Sequence, residues 1–265
     1  MPGSNSQPHF SSSGPRRSFP FIQVKEVSKK FGRLEAVAGV SFTLPEGKIY
    51  GFVGSDGAGK TTLLRMIATM INPTSGTIHI GGMDVLKKRA QVKELLGYMP
   101  QRFGLYQDLT VAENLEFFMD IYGIRGEERK RRRKYYLGFS NLLPFLDRRA
   151  ADLSGGMRQK LGLACVLVHE PKILILDEPT NGVDPVSRQE FWDMLLEMKR
   201  QGMTILVSTA YLDEGEKCDR LLLMHQAKIL EEAGPEEIRA NFPSLEEAMI
   251  HRIQEVDEVL ANDEF

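Results

Sequence analysis

Lys48 to Met70 read KIYGFVGSDGAGKTTLLRMIATM: an apolar β-type run, a glycine-rich loop and a helix-forming run, joined without a break. Within this stretch GSDGAGKT, Gly54 to Thr61, fits the pattern G-x-x-x-x-G-K-[ST] with no mismatch, in the strand-before, helix-after setting the pattern requires. Triphosphate oxygens need many donors at close range. Gly54, Ser55, Asp56, Gly57, Ala58 and Gly59 offer backbone amides with few side chains in the way, and the positive end of the next helix adds to them. Lys60 is placed to reach the β- and γ-phosphates and the Thr61 hydroxyl to ligate Mg²⁺, with Thr62 completing the expected ATP-binding set.

Further along, ILILDEPT (Ile173 to Thr180) is an apolar strand ending in two carboxylates. Asp177 then lies at the strand's carboxyl end, where open α/β sheets bind ligands and a carboxylate can hold Mg²⁺. Glu178, one residue on, is suited to orient and polarise an attacking water. Around these two motifs the chain alternates. FIQVKEV, VSFTL, TIHI, MTILVST and RLLLM read as strands, and GMRQKLGLACVLV and VSRQEFWDMLLEMKR as helices, which implies a mainly parallel sheet covered on both faces.

Between the motifs lies LSGGMRQK, Leu153 to Lys160. It resembles the signature of the ATP-binding cassette (ABC) superfamily. Ser154 is a plausible helix N-cap, and Gly155 and Gly156 leave amides bare at a helix start, which makes a second anion site. The resemblance implies a P-loop NTPase (RecA-like) α/β core with a small antiparallel β subdomain and an inserted α-helical subdomain. It also implies a head-to-tail dimer in which Ser154, Gly155 and Gly156 contact the ATP held by the other subunit. Gln101 in GYMPQ resembles the loop glutamine that touches Mg²⁺ and the attacking water. Asp184 in NGVDP resembles the cross-dimer aspartate, and Phe31 in VSKKFG the aromatic that stacks on adenine, or else a core strand residue.

One position departs from the family pattern. Ala210, in STAYLDE, stands where most relatives carry a histidine that contacts the γ-phosphate. Loss of such a contact is worth about 1.5–3 kcal/mol, or roughly 10- to 100-fold in rate, so slowed hydrolysis is expected. QRFGLYQDLTVAENLEFFMDIYGI and PSLEEAMI resemble exporter subunits whose permease is a separate chain. The implied partners are integral-membrane permease subunits and a second ATP-binding subunit, at the cytoplasmic face of the membrane. The alternatives are a soluble cassette ATPase, disfavoured by a single cassette without a long coiled coil, and an ATP-dependent dimer clamp with very slow hydrolysis.

The implied domain plan is a disordered tail over 1–19, a cassette domain over 20–235 with its helical insertion at about 103–152, and a helical extension with an acidic tail over 236–265. In the insertion, Thr110 and Glu113 have capping-box spacing, and Leu115, Phe118, Met119 and Tyr122 repeat on one helical face. Phe103, Leu105 and Tyr106 are expected either to be exposed and form a groove for a permease helix or to pack within the helical subdomain. Arg129 to Lys134, RKRRRK, reads as a solvated helix face or a site for headgroups or a partner's acidic loop. The formal charge of −2 favours no nucleic acid partner. No apolar run approaches the roughly 18 residues of a membrane span. Cys165 and Cys218 are expected to be buried reduced thiols, Trp192 to be core, and His169 and His225 to be structural.

Overall fold

The computed structural model describes residues 21–263, so the tail predicted for 1–19 lies outside them. The order is β1 (Ile22–Phe31), β2 (Leu34–Leu44), β3 (Ile49–Val53), α1 (Lys60–Ile67), β4 (Ser75–Ile80), β5 (Met83–Asp84), α2 (Arg89–Glu94) and β6 (Leu96–Met99). There follow α3 (Val111–Ile121), α4 (Gly126–Phe139), two 3₁₀ turns, α5 (Gly155–Leu167), β7 (Ile173–Asp177), α6 (Pro185–Arg200) and β8 (Thr204–Thr209). The described chain closes with α7 (Leu212–Gly215), β9 (Arg220–His225), β10 (Lys228–Ala233), α8 (Pro235–Arg239) and α9 (Leu245–Asp263).

Two sheets result, an antiparallel one of order β2-β1-β4-β5 and a six-stranded one of order β10-β9-β3-β8-β7-β6. In the second, only the β9–β10 hairpin is antiparallel. Every residue of β3, β7 and β8 is buried, as expected where both faces of a sheet are covered. The alternation is visible residue by residue: Leu174 and Leu176 join a core with α3, α5 and α6, whereas Ile173 and Ile175 join a core with α1 and the antiparallel sheet. Gly51 shows how tight the central layer is. A Cβ there would meet Leu221 Cδ2 at 2.6 Å and Cys218 Sγ at 2.8 Å, so any larger residue would have to displace both side chains.

The capping box of α3 forms as the spacing predicts: Glu113 N donates to Thr110 Oγ1 at 3.2 Å and Thr110 N to Glu113 Oε2 at 2.8 Å. Leu115 and Met119 are buried and Phe118 packs against them, but Tyr122 is 48% exposed and stacks on His169. Leu105 is buried and Phe103 packs on Phe118, which leaves Tyr106 alone exposed. The expected three-residue groove is therefore absent, because hydrophobic side chains beside a core join it when backbone reach allows.

The Arg129–Lys134 run is not a free basic surface either. Arg129 and Arg133 reach Glu116 on α3, while Arg131 and Arg132 bond Glu128 and Glu170. Those two guanidinium groups hold the Glu128 carboxyl down to about 2. Cys165, Cys218 and Trp192 are buried as expected, the cysteines as free thiols. No helix of the described residues is long and apolar enough to cross a membrane.

Candidate functional site

The carboxyl ends of β3, β7 and β8 meet at one edge of the sheet, beneath a cleft of about 710 Å³. The loop from Gly54 to Gly59 forms one wall, and two of its glycines are fixed there by backbone packing. A Cβ on Gly54 (φ 148°) would lie 2.0 Å from the Met224 carbonyl oxygen, and one on Gly59 (φ 102°) 2.3 Å from that of Ala36. Gly57 (φ 81°) has nothing within 4 Å of its Cβ position, which leaves room for a ligand against the backbone. Lys60 is buried at the start of α1, and its ammonium donates to the carbonyls of Gly54 and Ser55 at 2.7 and 2.9 Å.

On the floor, Thr61 Oγ1 donates to Asp177 Oδ1 at 2.8 Å. Ser208 Oγ donates to the same oxygen at 2.9 Å, and the Tyr98 hydroxyl reaches Oδ2 at 3.3 Å. A hydroxyl and a carboxylate side by side form a hard, all-oxygen donor set, which fits Mg²⁺. The site thus accommodates the cation that the sequence implies.

Glu178 follows Asp177 in a left-handed conformation, φ 48°, which disfavours a residue with a Cβ by about 1 kcal/mol or more. Its amide is held by Ser208, donating to Oγ at 2.9 Å and to the carbonyl oxygen at 3.2 Å. Gln101 Nε2 and Asn181 Nδ2 both donate to Glu178 Oε2, at 2.8 and 3.2 Å. Behind this loop the buried Glu214 carboxylate accepts from Thr180 Oγ1 and Thr209 Oγ1, each at 2.6 Å. That bond pair ties the turn after β7 to the end of β8.

Phe31 lies in the cleft wall, half exposed, with the Lys29 ammonium 4.9 Å from its ring centroid. Asp56, Ala58, Thr62 and Ala210 also line the cleft, and the Ala210 side chain carries no hydrogen-bonding group. Ser154, Gly155, Gly156 and Asp184 are not among the lining residues. Ser154 caps α5, accepting from Met157 N at 3.2 Å, and Asp184 caps α6, accepting from Ser187 N at 2.9 Å. The Ser187 amide holds the Asp184 carboxyl below its usual range. The two signature glycines differ. Gly155 is exposed with open space at its Cβ position, whereas a Cβ on buried Gly156 would strike Ser187 Cβ at 2.3 Å. Gly156 serves helix packing in this chain, not only a bare amide.

Sequence reading passed over Tyr98, Asn181, Ser208 and Glu214. A polar Ser208 in the apolar run MTILVS is a local sign that could have been followed. Nothing in DEGEK separates Glu214 from its neighbours, since its two partners lie 34 and five residues away.

A glycine-rich loop between a parallel strand and a helix, facing a Thr–Asp oxygen pair, defines a P-loop nucleotide-binding protein with a RecA-like core. A family model described as ABC transporter matches residues 37–181, and the chain belongs to that family. It is 49% identical over 216 residues to "Probable multidrug ABC transporter ATP-binding protein YbhF" of Escherichia coli strain K12, a match covering 81% of this chain and 37% of that protein. The chain thus spans little more than a third of that relative's length. It is 38% identical over 215 residues to "Nod factor export ATP-binding protein I" of Burkholderia lata, covering 81% of this chain and 71% of that one. The solved structure of an ATP-binding subunit of an ABC transporter superposes with a TM-score of 0.78 at 29% identity, covering 88% of this chain and 99% of that chain. The cbiO1 subunit of Clostridium perfringens, part of the transporter complex cbiONQ, gives 0.76 at 26% identity over 83% and 91%.

Proposed function

We propose that this chain is the nucleotide-binding subunit of an ABC exporter, which binds and hydrolyses MgATP in a head-to-tail dimer to drive an integral-membrane permease. The observation that carries the reading is the convergence on one cleft of Lys60, the Thr61–Asp177 pair, Glu178 and Gln101 from three separate segments. Bound Mg²⁺ would neutralise charge on the phosphate oxygens. Thr61 and Asp177 would hold it, with the Gln101 amide oxygen a third donor.

The Gly54–Gly59 amides and Lys60 cradle the phosphates, Thr62 continues that cradle at the start of α1, and Phe31 stacks on the adenine. Glu178 accepts a hydrogen bond from the attacking water and polarises it toward the γ-phosphorus. Ser154 and Gly155 at the start of α5 face the partner's ATP, and Asp184 lies at the same interface. We assign 20–235 to the cassette domain, with the helical subdomain at about 103–152, and 236–265 to the C-terminal extension. The permease places the subunit at the cytoplasmic face of the membrane. The exporter assignment follows the relatives named for multidrug and Nod factor export.

Ala210 favours a second reading, an ATP-dependent dimer clamp that hydrolyses slowly, because its side chain brings no donor to the cleft. One experiment addresses both. Glu178→Gln keeps the side chain's shape and loses its basicity, so gel filtration with MgATP should show a trapped dimer where the wild type returns to monomer as ATP is consumed. A wild type that stays dimeric for hours supports the clamp. A variant that binds ATP and stays monomeric overturns the sandwich.

A further inference from the structure

We propose that Asn181 is a positioning residue for Glu178, sharing with Gln101 the grip on one oxygen of its carboxylate. The inference rests on the reading of Glu178 as the group that polarises the attacking water. The two amide nitrogens reach Oε2 from different segments: Gln101 follows β6, and Asn181 belongs to the turn after β7. The terminal torsion of a glutamate is broad and weakly restrained by itself. Two donors on the same oxygen fix it. With Oε2 committed to the amides, polarisation of a water falls to Oε1.

The backbone supports the arrangement on both sides. Asn181 N donates to the Glu178 carbonyl oxygen at 3.3 Å, closing a tight turn that carries the Asn181 side chain back over Glu178. Ser208 holds the Glu178 amide from the neighbouring strand, so the carboxylate and its clamp start from a fixed point. Asn181 and Gln101 both line the cleft, and the side chain of Ala210, which also lines it, adds no donor. The asparagine is exposed and its side chain bonds Glu178 in the cleft, which makes a purely structural role a poor account of its place.

The test measures steady-state ATPase rates of the full chain at varied ATP, with thermal melts, for Asn181→Ala, Asn181→Asp, Asn181→Ser and Glu178→Gln. A hydrogen bond to an ionised group corresponds to about tenfold in rate, so Asn181→Ala should lower kcat about tenfold with KM for ATP within about twofold and Tm unchanged. Asn181→Asp keeps the shape and loses the donor, and should lose at least as much. Asn181→Ser, a shorter donor, should recover part of the rate. If shape alone mattered, Asp would run at the wild-type rate, and that result overturns the proposal, as does a wild-type kcat in Asn181→Ala. Glu178→Gln separates the two levels. An inactive Glu178→Gln beside fully active Asn181 variants removes only the clamp, whereas a fully active Glu178→Gln removes the reading of Glu178 and the clamp with it.

Discussion

Two adjacent glycines show how far the meaning of a residue depends on what stands opposite it. Gly155 and Gly156 begin the same helix, yet Gly155 faces open space and Gly156 lies against Ser187 of α6. A methyl group at Gly156 must push α5 and α6 apart, and overpacking of this kind costs about 1–3 kcal/mol. A methyl group at Gly155 meets nothing within 4 Å, and its backbone angle is ordinary. Thermal or urea unfolding of the two alanine variants should therefore differ, with Gly156→Ala less stable by about 1–3 kcal/mol and Gly155→Ala unchanged within about 0.5 kcal/mol. Equal stabilities would show that α6 yields freely to the added methyl. Glu178 makes the complementary point, since its strained φ of 48° is kept by the hydrogen bonds its amide donates to Ser208, 30 residues away.

At the scale of elements, one buried side chain bonds the loop between Gln101 and α3 at several backbone atoms. Asn114 Nδ2 donates to the carbonyls of Tyr106, Leu109 and Thr110 at 3.0–3.1 Å, and its Oδ1 accepts from Tyr106 N at 2.9 Å. Replacing this fully buried side chain with alanine leaves the Tyr106 amide without its partner and takes one of two donors from each of three carbonyls, for an expected loss of about 1–3 kcal/mol in urea unfolding and faster amide exchange at Tyr106. Unchanged exchange at Tyr106 would mean that the loop is held from elsewhere. The elements themselves were largely legible. The strand before Gly54, the strand ending at Asp177 and the capped α3 each declare themselves within a dozen residues, through apolar runs, caps and glycines. Partnerships were not, because the pairing of Arg132 with Glu170 or of Glu214 with Thr180 depends on which segments the sheet order brings together. The same limit hid the burial of Leu105, whose neighbours come from the folded core.

At the scale of the whole molecule, the cleft and the α5 start stand apart within one chain, since Ser154, Gly155 and Gly156 contribute nothing to the wall around Lys60. In the head-to-tail dimer proposed above each cleft would be completed by the partner's α5 start, and that geometry can be tested by mixing two dead chains. Lys60→Ala removes the ammonium that sits in the phosphate loop, and Gly155→Asp places a carboxylate at an open helix start that would otherwise receive the partner's phosphates. Each variant alone has every composite site spoiled, by its cleft or by its signature. A mixed dimer has one site with both defects and one with neither. Random pairing makes half of all dimers mixed, so an equimolar mixture of the two should regain about a quarter of the wild-type ATPase rate if sites fire independently, from parents that are both inactive. Cooperative sites would give less, but still more than either parent. A mixture as inactive as its parents, with dimers present by gel filtration, would mean that cleft and signature do not act across the interface. A Gly155→Asp chain active on its own would mean that the α5 start carries no phosphate at all.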